Sequence, residues 1–343
     1  MFRFQTCLFG GVITALLATF LPAVEKGLQM VWIDVEGGAA TLLVTPAGEA
    51  VLIDSGNAGR RDPERIVKAA SALGLRRIDI LITTHYHSDH YGGAATLAEL
   101  MPIGTVFDNG EFANMPDKPD AAYREFKCEK RAVIHPGDKI PLKAAEHSPL
   151  LEIVCLGTRQ EFVQDAAASA NEAICANLRT KSRDGSDNAN SVVLLVKYGP
   201  FRFFDAGDLT WNMENKLVCP KNLVGEVDVY QVTHHGLDAS NNPLVLQSLK
   251  PTVAIMNNGA TKGCMPEVFA ALQAEKSVRA LYQMHKNLRP DGADNNVADE
   301  FIANLEKECA GNTIQLAVSP EGTTYRVSLP HSSHVREFKT KGK

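Results

Sequence analysis

The stretch that most constrains this chain is Thr84-His85-Tyr86-His87-Ser88-Asp89-His90-Tyr91-Gly92-Gly93. It follows an apolar run, Ile78 to Ile82, that reads as a buried strand, and it precedes an Ala-rich helical stretch. A strand end that empties His, His, Asp and His into a loop makes a poor core and a good metal site. His85 and His87 are two residues apart, so in an extended turn both point into one space, while Asp89 and His90 aim elsewhere. Two neighbouring metal positions are therefore on offer. Neither pair alone gives zinc its usual tetrahedral set, so more ligands must come from distant sequence.

Two places offer them. Gly207-Asp208 follows the apolar run Phe201 to Phe204, and its glycine lets the backbone approach closely. His234-His235-Gly236 ends another strand-like run, Val227 to Thr233. All three clusters sit at strand carboxyl ends, where the loops of one sheet gather. A carboxylate shared between both positions is the economical completion. Taken alone, Asp208 reads as a cap for a helix from Leu209, and a His-His pair reads as structural. The spacing from His85 to His90 is what draws both into a site.

The rest of the chain alternates. Leu28 to Val35, Ala39 to Thr45 and Ala50 to Ile53 read as strands, the last ending in the turn cluster Asp54-Ser55-Gly56. Asp62 to Leu73 has helical periodicity and stops at Gly74. Residues 111–131 read as a polar excursion over one face of the sheet. Residues 157–190 form a long polar segment of the functional-loop kind. Ser191 to Tyr198 and Phe201 to Phe204 make an apolar hairpin. Helices are expected at Pro243 to Leu249, Pro266 to Glu275 and Val297 to Glu308, with strands between them and two closing strands within Thr313 to Leu329. The basic tail, residues 331–343, is expected to fray. The order of elements fits two sheets with helices outside, and residues 27–330 read as one domain.

Composition bounds the function classes. The 343 residues are 45% hydrophobic and 22% charged, which is the globular range. A net charge of −5 argues against a general polyanion-binding surface, and no stable nucleic-acid partner is expected. Residues 1–23 read as a signal peptide: Arg3 is followed by the apolar run Cys7 to Leu21 and the small residue Ala23. The expectation is an exported protein, periplasmic or secreted, with an N-terminal membrane anchor as the alternative. No other segment is apolar enough to span a bilayer. Export permits disulfides. Cys128 and Cys175, in polar stretches, are the candidates, and Cys155 in an apolar run reads as buried.

The sequence His85-Tyr86-His87-Ser88-Asp89-His90 matches the HxHxDH motif of the metallo-β-lactamase superfamily, and the chain resembles that family over most of its length. Asp54-Ser55-Gly56, Gly207-Asp208 and His234-His235-Gly236 fit the same pattern. The last feature, with Ser191-Val192-Val193-Leu194, resembles the competence-protein (ComEC-like) branch. The resemblance implies an α/β fold of the four-layer αββα kind and two divalent metal ions, most often zinc, with manganese or iron as alternatives. It implies that His85 and His87 bind one metal, that Asp89 and His90 bind the other, that Asp208 bridges, and that one or both of His234 and His235 close the shell. The wider superfamily supplies a further metal-binding histidine before the bridging aspartate. Here the interval holds only His135 and His147, and the matching place reads Asp187-Asn188-Ala189-Asn190-Ser191.

The expected reaction is hydrolysis of a phosphate ester or phosphodiester by a metal-activated hydroxide, with Asp89 or His234 handling the proton. A lactonase or β-lactamase-like amide hydrolase is the alternative on the same fold. A non-catalytic metal-binding or sensing protein is the alternative of another class. Asn258, Lys262 and His285 follow strand ends and are the candidates for substrate contact, Lys262 for an anionic group.

Overall fold

The computed structural model describes residues 27–165, 168–292 and 294–342. The expected signal segment, residues 1–23, lies outside them. The described residues form two large sheets. In the first, the strands lie in the order His334–Lys339, Thr324–Leu329, Ile314–Val318, Gln29–Trp32, Thr41–Val44, Ala50–Ile53, Ile78–Ile82, Ile103–Asp108 and Lys130–Val133. In the second, the order is Ile302–Asn304, Ala280–His285, Val253–Met256, Val229–Gln231, Phe201–Asp205, Val193–Tyr198, Leu151–Thr158 and Glu161–Phe162.

Side-chain alternation explains why these strands stack into layers. Val51 and Ile53 face the second sheet while Ala50 and Leu52 face helices outside. In the second sheet Leu194, Val196 and Phe203 point inward, and Val193, Leu195 and Phe204 point outward. The inner faces share one core around Trp32, Ile82, Ile153, Ile255 and Tyr282. Helices Arg61–Ala72 and Ala94–Leu100 cover the first sheet through Ile66, Ala70 and Leu97. Helices Trp211–Val218, Pro243–Leu249 and Pro266–Ala274 cover the second through Leu217, Leu249 and Leu272. The result is the expected four-layer αββα sandwich.

Parallel pairing fixes where the loops emerge. Ala50–Ile53, Ile78–Ile82 and Ile103–Asp108 run parallel, as do Phe201–Asp205, Val229–Gln231, Val253–Met256 and Ala280–His285. Their carboxyl ends deliver Asp54, His85, Asp208, His235 and Asn258.

Three expectations are corrected. The run Val297 to Glu308 is not a helix: a single turn at Asp299–Phe301 leads into the strand Ile302–Asn304, which pairs in parallel with Ala280–His285. Long-range pairing there overrides local periodicity. The basic tail does not fray over its middle, because His334–Lys339 pairs antiparallel with Thr324–Leu329 and Phe338 enters the inter-sheet core. Cys175 does form a disulfide, but with Cys219, and Cys128 is free. No helix among the described residues is long and apolar enough to cross a membrane.

The disulfide ties the polar segment to the end of helix Trp211–Val218, across a sequence separation of 44. Loop-closure entropy for that length is worth about 4 kcal/mol at most. Reduction, or Cys175→Ser, is therefore expected to lower the urea midpoint by a clear margin. Denaturation curves with and without a phosphine reductant check this, and coincident curves would remove the disulfide from the stability account.

Candidate metal centre

The centre is assembled from loops of both sheets. From the first sheet, the strand Ile78–Ile82 ends in Thr83-Thr84-His85, beside Asp54 at the end of the neighbouring strand. Asp54 Oδ1 accepts from Thr84 N at 2.7 Å, and Oδ2 accepts from Thr84 Oγ1 at 2.8 Å. His90 Nδ1 lies 2.7 Å from the same Oδ2. The short helical turn Ser88–Tyr91 brings His90 back over the strand end, where its carbonyl accepts from Ser55 N at 2.6 Å. A carboxylate on one imidazole nitrogen fixes the tautomer and aims the other nitrogen inward. Gly38 packs against this turn so closely that a Cβ there would sit 2.3 Å from Asp89 O.

From the second sheet, Phe201–Asp205 leads to Gly207, at φ +53° and tight against the Thr84 side chain. Asp208 N then donates to Ser191 Oγ at 3.2 Å. Val229–Gln231 leads to His234 and His235, both left-handed at φ 55°. Such a conformation costs a non-glycine residue about 1–3 kcal/mol and collects at functional sites. Gly263 permits the turn, since a Cβ there would meet His235 O at 2.0 Å.

These backbones converge on Asp208 Oδ2. His90 Nε2 lies 3.2 Å away, His235 Nε2 3.3 Å, His234 Nε2 3.4 Å and His85 Nε2 3.9 Å. Asp89 Oδ2 is 3.3 Å from His235 Nε2 and 3.5 Å from His90 Nε2. Two donor sets result, each with its ligand atoms within 4.8 Å of one another. One is Asp89, His90, Asp208 and His235, and the other is His85, His87 and Asp208. Asp208 belongs to both, as the bridging role requires.

Burial would raise the Asp208 carboxyl, but the imidazoles of His235, His90 and His234 outweigh it and hold it well below the carboxylate range. Burial would likewise lower His90, but Asp208, Asp54 and Asp89 hold it well above the usual value. His85 is pushed well below by burial and by the neighbouring His90. Burial also lowers His234. His85 Nε2 is buried with no hydrogen-bond partner among the described residues. An orphaned imidazole nitrogen facing a carboxylate at 3.9 Å has the signature of a missing cation. The nitrogen and oxygen donors suit zinc, manganese or iron, so the residues fit divalent ions.

The expected site residues separate into two groups. His85, His87, Asp89, His90, Asp208, His234 and His235 come together, with His235 inside a donor set and His234 at its edge. His234 Nδ1 lies 3.1 Å from Ser240 Oγ, so Ser240 orients the imidazole, while Asn242 caps the following helix. Asp89 is flanked by His90, His235 and Lys262. Lys262 reaches the centre, with its Nζ on Asp89 Oδ2.

Asn258 and His285 do not reach the centre, a correction to their expected substrate role. Both are fully buried, and Asn258 Nδ2 donates to His285 O at 2.8 Å. His285 Nε2 lies 2.7 Å from Asp34 Oδ1, whose other oxygen meets Arg65 at 2.9 Å and the Cys309 thiol at 3.1 Å. That cluster is a tie between the sheets. Its carboxylate is already filled, and a guanidinium occupies the place of a cation.

Sequence reasoning missed three contributors. Asp54 read as a turn residue, and only the paired strands show that it holds His90. Ser240 lies in the loop before helix Pro243–Leu249 and carries no local metal-site signal. Asp117, on the polar excursion, carries an oxygen 3.2 Å from His87 Nε2 that also accepts from Asp187 N at 2.9 Å. No local signal marks a residue that acts from 30 positions away.

The fold and the donor set define a class, two-sheet sandwiches whose loops gather metal-ligand side chains. Residues 33–153 match the family model described as Metallo-beta-lactamase superfamily. Over that stretch the chain is similar to that superfamily. It is similar to Competence protein ComA of Neisseria gonorrhoeae, 26% identical over 225 residues, covering 65% of this chain and 26% of that protein. It is also similar to Recombination protein 2 of Haemophilus influenzae, 26% identical over 257 residues, covering 74% of this chain and 27% of that protein. A third relative, a UPF0173 metal-dependent hydrolase of Anaeromyxobacter sp. (strain K), is 27% identical over 256 residues, covering 71% of this chain and 82% of that protein. The aligned part of the chain thus spans about a quarter of the length of the first two relatives. They bear out the competence-type relation expected from His234-His235-Gly236.

Two substitutions test the geometry. Asp54→Asn keeps the shape but removes the charge on His90 Nδ1, and metal affinity is expected to fall roughly 10–100-fold. Gly38→Ala drives a methyl into Asp89 O and is expected to weaken the metal similarly. Gly48→Ala, which meets nothing within 4 Å, leaves metal affinity unchanged. Competition with a chromophoric chelator measures all three.

Proposed function

We propose that the chain is an exported hydrolase that holds two divalent ions, zinc foremost, and cleaves a phosphate ester or phosphodiester of a small substrate. The observation that carries the reading is the meeting of two donor sets at Asp208, with a cation, Lys262, on the rim beside Asp89. Bound divalent ions supply Lewis acidity toward a phosphoryl oxygen and acidify water toward neutral pH.

The chain's own groups do the remaining work. His85, His87, Asp89, His90, Asp208 and His235 would hold the ions. Lys262 is 39% exposed at its side chain, so it meets solvent and can bind an anionic substrate oxygen. His234, anchored by Ser240, holds Nε2 at the edge of the centre, where it accepts a proton during attack and returns it to the leaving alkoxide. A neutral lactone has no use for the Lys262 charge, which favours the phosphoester reading over the lactonase one. The Cys175–Cys219 disulfide supports export, since such bonds persist in oxidising compartments.

Metal analysis of the purified protein, with a panel of bis-p-nitrophenyl phosphate, single-stranded DNA, phosphorylcholine esters, lactones and nitrocefin, tests the reading. Phosphoester turnover is expected. Asp208→Asn is expected to lose both bound metal and turnover, and Lys262→Ala to raise KM about tenfold with a smaller change in kcat. Turnover of lactones and nitrocefin alone would overturn the phosphoester assignment. Bound metal without any turnover would favour the non-catalytic binding reading.

A further inference from the structure

The two donor sets are unequal. The Asp89–His90–Asp208–His235 set has four members and the His85–His87–Asp208 set has three. The histidines between the motif and Asp208 do not supply the difference. His135 is bonded to Asp138 at the surface, and His147 lies in an exposed turn.

The helical turn Asp187–Asn190 meets the loop that carries His85 and His87 instead, with Asp187 N donating to the Asp117 oxygen that also faces His87 Nε2. Asp187 is fully engaged there. Its Oδ2 accepts from Tyr86 N at 2.8 Å, between His85 and His87, and its Oδ1 accepts from Asn190 Nδ2 at 2.9 Å. Asn188 is the residue with an atom to spare. It is 5% exposed, and its Nδ2 lies 3.4 Å from His234 Nε2 and on the Asp184 carboxylate. Its Oδ1 is buried with no partner among the described residues, and so is His85 Nε2. His234 Nε2, against which Asn188 Nδ2 rests, is itself 3.4 Å from Asp208 Oδ2, so Asn188 borders the incomplete set, and a cation there would give both orphaned atoms a partner.

We propose that the Asn188 side-chain oxygen completes the His85–His87–Asp208 position in place of a third histidine, so that this position holds zinc more weakly than its neighbour and tolerates manganese better. The inference rests on the metal-centre reading above. An amide oxygen is a neutral, hard donor, and replacing an imidazole with it shifts preference from zinc toward manganese. His234 is the rival ligand, since its Nε2 also approaches Asp208 Oδ2, at 3.4 Å.

The test is calorimetric titration of the metal-stripped full chain with Zn2+ and, separately, Mn2+, on wild type, Asn188→Ala, Asn188→His, Asn188→Asp and His234→Ala. The wild type is expected to take up two ions in unequal steps. Asn188→Ala is expected to weaken the second step at least tenfold and leave the first unchanged. Asn188→His is expected to tighten the second zinc step at least tenfold and to lower the preference for manganese. Thermal melts by circular dichroism confirm folding. If Asn188→Ala does not fold, Asn188→Asp, of the same shape with an added charge, is expected to tighten the second step. An unchanged second step in Asn188→Ala, or in Asn188→Asp where that variant decides, overturns the assignment, and its loss in His234→Ala but not in Asn188→Ala assigns the ligand to His234. No uptake of either metal by wild type would overturn the metal-centre reading itself.

Discussion

A single oxygen, Asp208 Oδ2, faces four imidazoles at 3.2–3.9 Å. A buried carboxylate is expensive unless it is paired, and here the pairing partners come from both sheets. His85 and His90 belong to the first sheet, and His234 and His235 to the second. The centre therefore exists only if the sandwich packs in its observed register. That dependence gives function to the inter-sheet core around Trp32 and Tyr282 and to the Asp34–His285 tie. It also accounts for the left-handed histidines. Their strain places two adjacent imidazoles at one carboxylate, an arrangement an extended strand end does not provide.

The electrostatics follow from the same crowding. Asp54, Asp89 and Asp208 hold His90 well above its usual pKa, and Asp208 with Asp89 raises His235 against the opposing effect of burial. Both imidazoles thus owe their raised pKa to the same carboxylates that would face a metal ion. A bound cation would compete with protons for these rings, as ligand imidazoles must be neutral to bind metal. His85 behaves oppositely, kept neutral by burial and by His90, and so offers a lone pair in advance.

Much of this was legible in the sequence. The HxHxDH spacing, Gly207-Asp208 and His234-His235 locate the seven convergent residues, and strand periodicity places them at carboxyl ends. The illegible part is what depends on pairing across long separations. Asp54 acts on His90 from 36 positions away. His285 looked like a rim residue because it follows a strand, yet the strand is buried on both faces and its last side chain points to Asp34. The run Val297 to Glu308 has a helix-like pattern, but the vacant edge beside Ala280–His285 recruits Ile302–Asn304 as a strand. In each case a partner that the local sequence does not contain decides the outcome.

X-ray absorption at the zinc edge of the reconstituted protein tests the central claim most directly. The account predicts a first shell of nitrogen and oxygen only, with imidazole outer-shell scattering and a metal–metal vector at about 3.5–4 Å. A sulfur shell near about 2.3 Å would place the metal on a cysteine such as Cys309. That result, or a spectrum without imidazole scattering, would contradict a centre built on Asp208.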